Sequence, residues 1–194
     1  MLIRNDFEVA APVEQVWRFF DDIPNVAACL PGASITDDLG DDRYQGRVSV
    51  RMGPVKLGFG GTAAITEKDD AAKRIVVHAS GAEEKGKGQA SLVVTATLTR
   101  SGRGTKVDVT QDLQVSGAAA QYGRGMIADV SSVLMRDFAT NLAAGIGRAE
   151  RGDDVGRHAA ATAASGFTVG LRAAMLALKR VFGRFFAPYQ TNPN

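Results

Sequence analysis

Six segments of alternating apolar and polar residues follow one another between Ser34 and Val115, and this pattern constrains the fold more than any other feature of the chain. Residues two apart in a strand share a face of the sheet, so alternation predicts strands with one apolar face. Turn sequences rich in Gly, Asp and Ser separate the segments, as in antiparallel hairpins. The predicted strands span residues 34–39, 43–51, 55–68, 73–85, 87–100 and 105–115. One curved antiparallel meander with an apolar concave face follows.

A further strand and two short helices are predicted before this meander. Apolar and charged residues alternate over residues 2–9, which predicts a strand. Apolar residues at helical spacing then follow Pro12, a residue suited to the first turn of a helix, and predict a helix over residues 13–20. A second helical turn is predicted at residues 25–29, between two proline-containing breaks. The helices therefore form an insertion between the first two strands.

The segment after the meander has the pattern of one long helix. Ile127, Val130 and Leu134 follow the spacing i, i+3, i+7 within a helix predicted over residues 117–146. The resulting order, β-αα-β6-α, predicts an α+β domain over residues 1–147, in which a seven-stranded curved antiparallel sheet wraps around the C-terminal helix.

The chain beyond this domain changes in composition. Residues 148–165 mix Gly, Ala and charge, which predicts a flexible linker, and residues 188–194 form a short tail. Residues 166–187 between them predict an amphipathic helix that lies on a membrane surface, with packing against the domain or a partner protein as the alternative. The predicted membrane-binding residues are Phe167, Leu171, Arg172, Leu178, Lys179, Arg180, Val181, Phe182, Arg184, Phe185 and Phe186.

Charge is distributed unevenly between these parts. Of 23 basic residues, four lie from Phe167 onward, where there is no acid, which leaves 19 basic and 21 acidic residues upstream. The tail is thus +4 and the body −2, and a body without a basic stripe argues against a nucleic-acid partner. The N-terminus has no basic region followed by an apolar run, so we expect a cytoplasmic protein held peripherally at the inner face of the cell membrane.

Few residues in the sequence are suited to catalysis or metal binding. The single cysteine, Cys29, permits no internal disulfide and has the character of a small buried apolar residue rather than a nucleophile. His78 and His158 have no evident partner, and no phosphate-binding glycine motif joins a strand to a helix. We therefore predict no catalytic residue, no metal site and no covalent cofactor.

Several separated motifs resemble those of one family. They are VAAPVEQVW at residues 9–17, DDIPNVAACLPG at 21–32, YQG at 44–46, GP at 53–54, FGG at 59–61, VSG at 115–117 and AQYG at 120–123. In this order they resemble the CoxG family of carbon monoxide dehydrogenase subunits, over residues 1 to about 147. The resemblance implies the helix-grip fold of the START and polyketide-cyclase superfamily, with a hydrophobic cavity. It also implies association with a molybdenum-containing hydroxylase and a role in linking that enzyme to the membrane.

The predicted concave face defines a candidate ligand cavity. Its lining residues are Trp17, Val48, Val50, Met52, Leu57, Phe59, Val77, Leu92, Val94, Tyr122, Met126, Ile127, Val130 and Leu134. A surface without charged groups favours an apolar ligand. The pattern alone is equally consistent with a solid core, but small residues such as Gly46, Gly61, Ala63 and Ala90 are compatible with open space.

Together these features favour a carrier of one lipophilic molecule between the cytoplasmic membrane and a soluble enzyme. The expected cargo is a respiratory quinone, menaquinone or ubiquinone, because carbon monoxide dehydrogenase, or a related molybdenum hydroxylase, releases electrons in water while quinones dissolve in lipid. The alternatives are a non-catalytic subunit that only anchors the dehydrogenase to the membrane, and an enzyme such as a cyclase or hydrolase of the same superfamily.

The tail generates the first prediction. Deleting residues 166–194 should leave the domain folded but abolish its binding to anionic liposomes in a sedimentation assay, because four basic residues contribute about 4 kcal/mol, or roughly a thousandfold in partitioning. Replacing Lys179 and Arg180 with Glu should weaken binding more at low salt than at high salt, since exposed charges are screened over about 8 to 10 Å at ordinary ionic strength. Undiminished sedimentation of the truncated protein would contradict the assignment.

Overall fold

The computed structural model describes residues 1–150 of the 194-residue chain. Its elements follow the predicted order β-αα-β6-α, and the predicted helix-grip fold is confirmed. Most of the predicted linker at residues 148–165, the amphipathic helix at 166–187 and the tail at 188–194 lie outside the described residues.

Seven strands form the sheet. They are β1 Leu2–Val9, β2 Ala33–Gly40, β3 Arg43–Met52, β4 Val55–Asp69, β5 Arg74–Glu83, β6 Gln89–Ser101 and β7 Gly104–Val115. Every pairing is antiparallel, and the spatial order is β1-β7-β6-β5-β4-β3-β2. Because consecutive strands from β2 to β7 are neighbours, the predicted meander is confirmed, and β1 joins it beside the last strand.

A row of glycines lets the sheet bend across its middle strands. Gly46, Gly61 and Gly81 lie opposite one another on β3, β4 and β5. A Cβ atom added to Gly61 would lie 2.0 Å from the carbonyl oxygen of Ser80, and one added to Gly46 would lie 2.7 Å from that of Ser34. The backbones of neighbouring strands therefore approach more closely here than any side chain permits.

Two short helices connect β1 to β2. They are α1, Val13–Phe19, and α2, Ile23–Cys29. The Asp22 carboxylate accepts the backbone N–H of Asn25 at 3.1 Å and caps α2, while Pro24 occupies its first turn, where no N–H is needed. These signals start α2 two residues before the predicted position and fix it over one end of the sheet.

The long helix differs from the prediction at both ends. Instead of one helix over residues 117–146, a 3-10 helix, Ala119–Tyr122, precedes α3, Gly123–Glu150. Gly123 has φ +72°, a conformation that side chains rarely tolerate, and it separates the two helices. A glycine therefore marks the start of α3, although the apolar periodicity continues across it.

The hydrophobic core is divided into two clusters. The large cluster joins α1, α2 and the end of α3 to the sheet, and its buried members are Val9, Ala11, Val16, Trp17, Phe19, Phe20, Cys29, Ile75, Ala96, Leu98, Val107, Val109, Leu142 and Ile146. The small cluster lies near the β3–β4 hairpin and the start of α3, and its buried members are Ile3, Met52, Leu57, Ala119 and Ile127. The two clusters pack opposite ends of α3 against the sheet.

Cys29 is part of the large cluster, as predicted. Its side chain is 4% exposed, and its S–H donates to the Asn25 carbonyl at 3.2 Å. The Asn141 amide of α3 donates to the Cys29 carbonyl at 2.9 Å and so ties α3 to α2. Burial raises the pKa of the thiol to about 11, against a smaller opposing effect of Arg148. A thiol that stays protonated is a poor nucleophile, which agrees with a structural role.

The glycine row generates the second prediction. Gly61→Ala should lower the free energy of unfolding by about 3 kcal/mol, because the new methyl group would overlap backbone atoms that cannot rotate away. Gly60→Ala is the matched control on the other face of β4, where the nearest atom to an added Cβ is 3.9 Å away, and it should change stability by less than about 0.5 kcal/mol. Urea unfolding measures both variants. Equal stability of the two would contradict the close approach.

Cys29 generates the third prediction. The unfolded thiol ionises near pH 9.0 and the folded one near pH 11, so its contribution to stability is complete below pH 9 and is lost as the pH rises to 11. The parent protein should lose about 2 to 3 kcal/mol more than Cys29→Ala over this interval. Denaturant unfolding at a series of pH values measures the difference. Parallel pH profiles for the two proteins would show that the thiol is not shielded.

Candidate functional site

The apolar residues predicted on separate strands form one continuous inward surface. The register places Val48 opposite Phe59 on β3 and β4, and Val77 opposite Val94 on β5 and β6. Side chains opposite one another in an antiparallel pair lie on the same face. The inward alternation of each strand is therefore in phase with that of its neighbours.

The predicted lining residues are distributed over the two clusters and the region between them. Those that form or flank the small cluster are Met52, Leu57, Ile127, Val50, Phe59, Tyr122 and Val130. Those that pack against the large cluster from the sheet are Val77 and Val94. Half-buried residues assigned to neither cluster are Val48, Leu92 and Leu134. The apolar face is thus packed at its ends and less completely covered between them.

Trp17 has a different environment from the other predicted lining residues. It is 3% exposed within the large cluster, and its indole N–H donates to the Asp70 carboxylate at 2.6 Å. The amino groups of Lys68 and Lys73 lie 5.7 and 5.5 Å from the centre of its ring. The indole therefore fastens α1 to the β4–β5 hairpin, and its polar edge is already paired.

Met126 also lies apart from the inward surface. Its side chain is 42% exposed, as is 51% of Val133 seven residues later on α3. Seven residues are about two helical turns, so both side chains lie along one exposed flank of the helix. Ile127, in contrast, is 7% exposed and belongs to the small cluster. The inward stripe of α3 is narrower than the apolar pattern of the sequence indicates.

Small residues occupy the middle of the inward surface. Ala63 lies opposite Ala79, and Gly81 lies opposite both Gly61 and Ala90 in the register of β4, β5 and β6. Side chains of this size fill little of the roughly 10 Å that separates packed layers. The region between the two clusters therefore has room that larger residues would occupy.

A chain of polar side chains crosses this apolar region and was not predicted from the sequence. The Ser131 hydroxyl on α3 donates to the Gln111 Oε1 atom on β7 at 3.0 Å. The Asn5 Nδ2 atom on β1 donates to the Ser131 Oγ atom at 3.2 Å, and the Ser132 hydroxyl donates to the Asn5 Oδ1 atom at 3.0 Å. Gln111 and Ser131 are only 7% and 8% exposed. Four side chains thus connect α3 to both β1 and β7.

A signal for this chain exists in the alternation of the two strands. Asn5 stands between Ile3 and Phe7 at a position where the alternation calls for an apolar residue. Gln111 does the same between Val109 and Leu113. An amide on the inward face of a strand must find a hydrogen-bond partner, so both positions identify polar contacts inside the domain.

Two surface grooves border α3 on the β1–β7 side of the sheet. A groove of about 420 Å³ lies between β1 and α3, and Asn5, Phe7 and Ser132 are among the residues that line it. A second groove of about 290 Å³ lies where β7 meets the start of α3, beside Leu113 and Ile127. Because both grooves reach inward-facing residues, α3 does not seal the sheet along this edge.

The remaining candidates for chemistry lie away from the inward surface. His78 is exposed, and its neighbours Val77 and Ala79 take the inward positions of β5. Within residues 1–150, no group of three or more His, Cys, Asp or Glu residues is placed to hold a metal ion. The helices of the same region include none that is both long and apolar enough to cross a membrane.

Solved structures of several organisms share this fold. A conserved protein from Geobacillus kaustophilus superposes with a TM-score of 0.67 at 21% identity, over 76% of this chain and 96% of that one. The Zhui aromatase/cyclase from Streptomyces sp. R1128 gives 0.54 at 15% identity, over 76% and 94%. A START superfamily protein from Mycobacterium smegmatis gives 0.52 at 16% identity, over 76% and 97%. These likenesses establish the START-type helix-grip fold.

Sequence comparison defines the family more narrowly. A comparison with curated proteins gives no match. The sequence profile of CoxG, described as a carbon monoxide dehydrogenase subunit, matches residues 6–147, which is most of the chain and nearly all of the described domain. With its motifs, its helix-grip fold and this match, the chain belongs to the CoxG family of carbon monoxide dehydrogenase subunits.

Proposed function

We propose that the protein carries a respiratory quinone, menaquinone or ubiquinone, between the cytoplasmic membrane and a molybdenum-containing carbon monoxide dehydrogenase. The observation that carries this proposal is the incompletely covered apolar surface between the two core clusters. Val48, Leu92 and Leu134 keep part of their surface accessible there, although they face the interior. A lipophilic molecule would cover this surface and remove it from water.

The shape of the domain supports binding of a molecule larger than a solvent molecule. The alanines and glycines at the centre of the sheet leave space, while the two clusters hold α3 at both ends. A carrier needs an interior that stays apolar and open without unfolding, and rigid ends with an unfilled middle meet this requirement. The open β1–β7 side offers a route by which a ligand could enter.

The family supports the choice of partner and cargo. Its name associates it with carbon monoxide dehydrogenase, whose reaction releases electrons on the aqueous side of the membrane. Quinones that accept such electrons are dissolved in the lipid, so a protein that shields one quinone from water would connect the two phases. The basic, amphipathic sequence of residues 166–187 supports a reversible stay at the membrane surface.

This function generates the fourth prediction. Organic extraction of the full-length protein, purified from its native host, should recover a quinone that mass spectrometry identifies. Val94→Asp should lower the recovered quinone at least tenfold, because an unpaired carboxylate on the inward surface costs several kcal/mol to desolvate when the ligand binds.

Val133→Asp is the matched control, since it makes the same substitution on the exposed flank of α3 and should retain the quinone. Circular dichroism confirms that each variant is folded. A parent protein that yields no quinone, and that binds none when titrated, would contradict the carrier and favour the subunit that only anchors the dehydrogenase. Equal recovery from both variants would show that the ligand lies elsewhere.

A further inference from the structure

The Gln111 side chain has an unusual combination of burial and unused hydrogen-bonding capacity. It is 7% exposed, and its Oε1 atom accepts the Ser131 hydroxyl at 3.0 Å. Its Nε2 atom donates to none of the side chains or carbonyls in residues 1–150. A carboxamide nitrogen carries two protons, so both donors of this buried group are unused.

The unused nitrogen is not sealed inside the protein. Within the described residues, every fully enclosed side-chain nitrogen or oxygen atom has a hydrogen-bond partner. The unpaired Nε2 of Gln111 must therefore keep access to open space. Gln111 lies between Ile3 and Val94 in the register of the inward face, so the donor is surrounded by apolar side chains.

The neighbouring polar groups determine which end of the amide is free. Ser131 has one hydroxyl proton, and its oxygen accepts a hydrogen bond from Asn5. Its proton is then directed at Gln111, which must answer with an acceptor, Oε1. Ser132 supports the same direction, since its hydroxyl donates to the Asn5 Oδ1 atom. The chain holds the Gln111 amide with its N–H groups turned away from Ser131.

We propose that the Gln111 amide is the polar contact of the lipophilic site and donates a hydrogen bond to a carbonyl oxygen of the bound molecule. Ser131 and Asn5 are positioning residues, because they touch the amide or its partner and fix its orientation. The inference rests on the proposed carrier function and adds to it the chemical class of the ligand: an apolar molecule that bears a hydrogen-bond acceptor. An unmet buried donor otherwise costs free energy, and a ligand carbonyl would recover it.

Two probes that differ in their carbonyls test the proposal on the full-length protein. Menadione, 2-methyl-1,4-naphthoquinone, has two carbonyl groups, and 2-methylnaphthalene has the same methylated ring system without them. Equilibrium dialysis measures both dissociation constants. Gln111→Met, which keeps the length of the side chain, should weaken menadione binding about threefold to tenfold and leave 2-methylnaphthalene binding unchanged or stronger. Ser131→Ala should weaken menadione binding by a smaller factor in the same direction.

Gln114→Met is the matched control on the same strand, because Gln114 is exposed and lies on the outward face of β7. It should bind both probes as the parent does. Equal losses for both probes in Gln111→Met would indicate a packing role and overturn the proposal, as would unchanged menadione binding. If the parent binds neither probe, the carrier function itself fails, whereas binding of both probes without discrimination refutes only the Gln111 contact.

A measurement on the parent protein keeps the proposal testable even if Gln111→Met does not fold. The infrared carbonyl stretch of menadione labelled with ¹³C should move to lower frequency on binding, relative to menadione in a hydrocarbon solvent, because hydrogen bonding weakens the C=O bond. The shift should persist in Gln114→Met and diminish in Ser131→Ala. A bound spectrum that matches the hydrocarbon spectrum would show that no donor reaches the carbonyl.

Discussion

The close contact between strand backbones at Gly46, Gly61 and Gly81 is the constraint on which the rest of the domain depends. A Cβ atom at the middle of this row would lie 2.0 Å from a carbonyl oxygen of the next strand, so the curvature of the sheet requires residues without side chains. Without that curvature, the sheet could not wrap around α3 and still pair β1 with β7 across its far side. The same absence of side chains leaves the centre of the concave face unfilled, so one backbone feature determines both the shape of the sheet and the space inside it.

The two core clusters explain why this space does not collapse. The large cluster anchors the C-terminal half of α3 through Leu142 and Ile146, and the small cluster anchors its start through Ile127. A helix held at both ends cannot move toward the centre of the sheet without losing packing at one of them. The domain therefore keeps its stability in the clusters and its binding surface between them.

The sequence predicts the fold well because the information needed is local. Strand bounds agree with the structure to within two residues, since alternation and turn residues depend only on near neighbours. Which residues of α1 and α3 face the interior depends instead on distant partners. Trp17 satisfies a helical apolar stripe, yet its neighbours come from the β4–β5 hairpin, and the periodicity of α3 does not distinguish the exposed Met126 from the buried Ile127. The extent of the site therefore required the structure, whereas its strands did not.

The polar chain from Ser132 to Gln111 departs from the apolar pattern for a reason that links folding to binding. It crosses between α3 and the sheet at the level where neither cluster fills the interior, and its hydrogen bonds of 3.0 to 3.2 Å hold the helix at a fixed separation from β1 and β7. Apolar residues at Asn5 and Gln111 would favour closer packing of α3, because burial of apolar surface has no preferred distance until atoms touch. Hydrogen bonds, in contrast, are lost when the geometry changes by a few tenths of an ångström or a few tens of degrees. A directional contact at mid-helix is therefore suited to keeping an apolar interior open, and the same contact leaves one amide donor facing that interior.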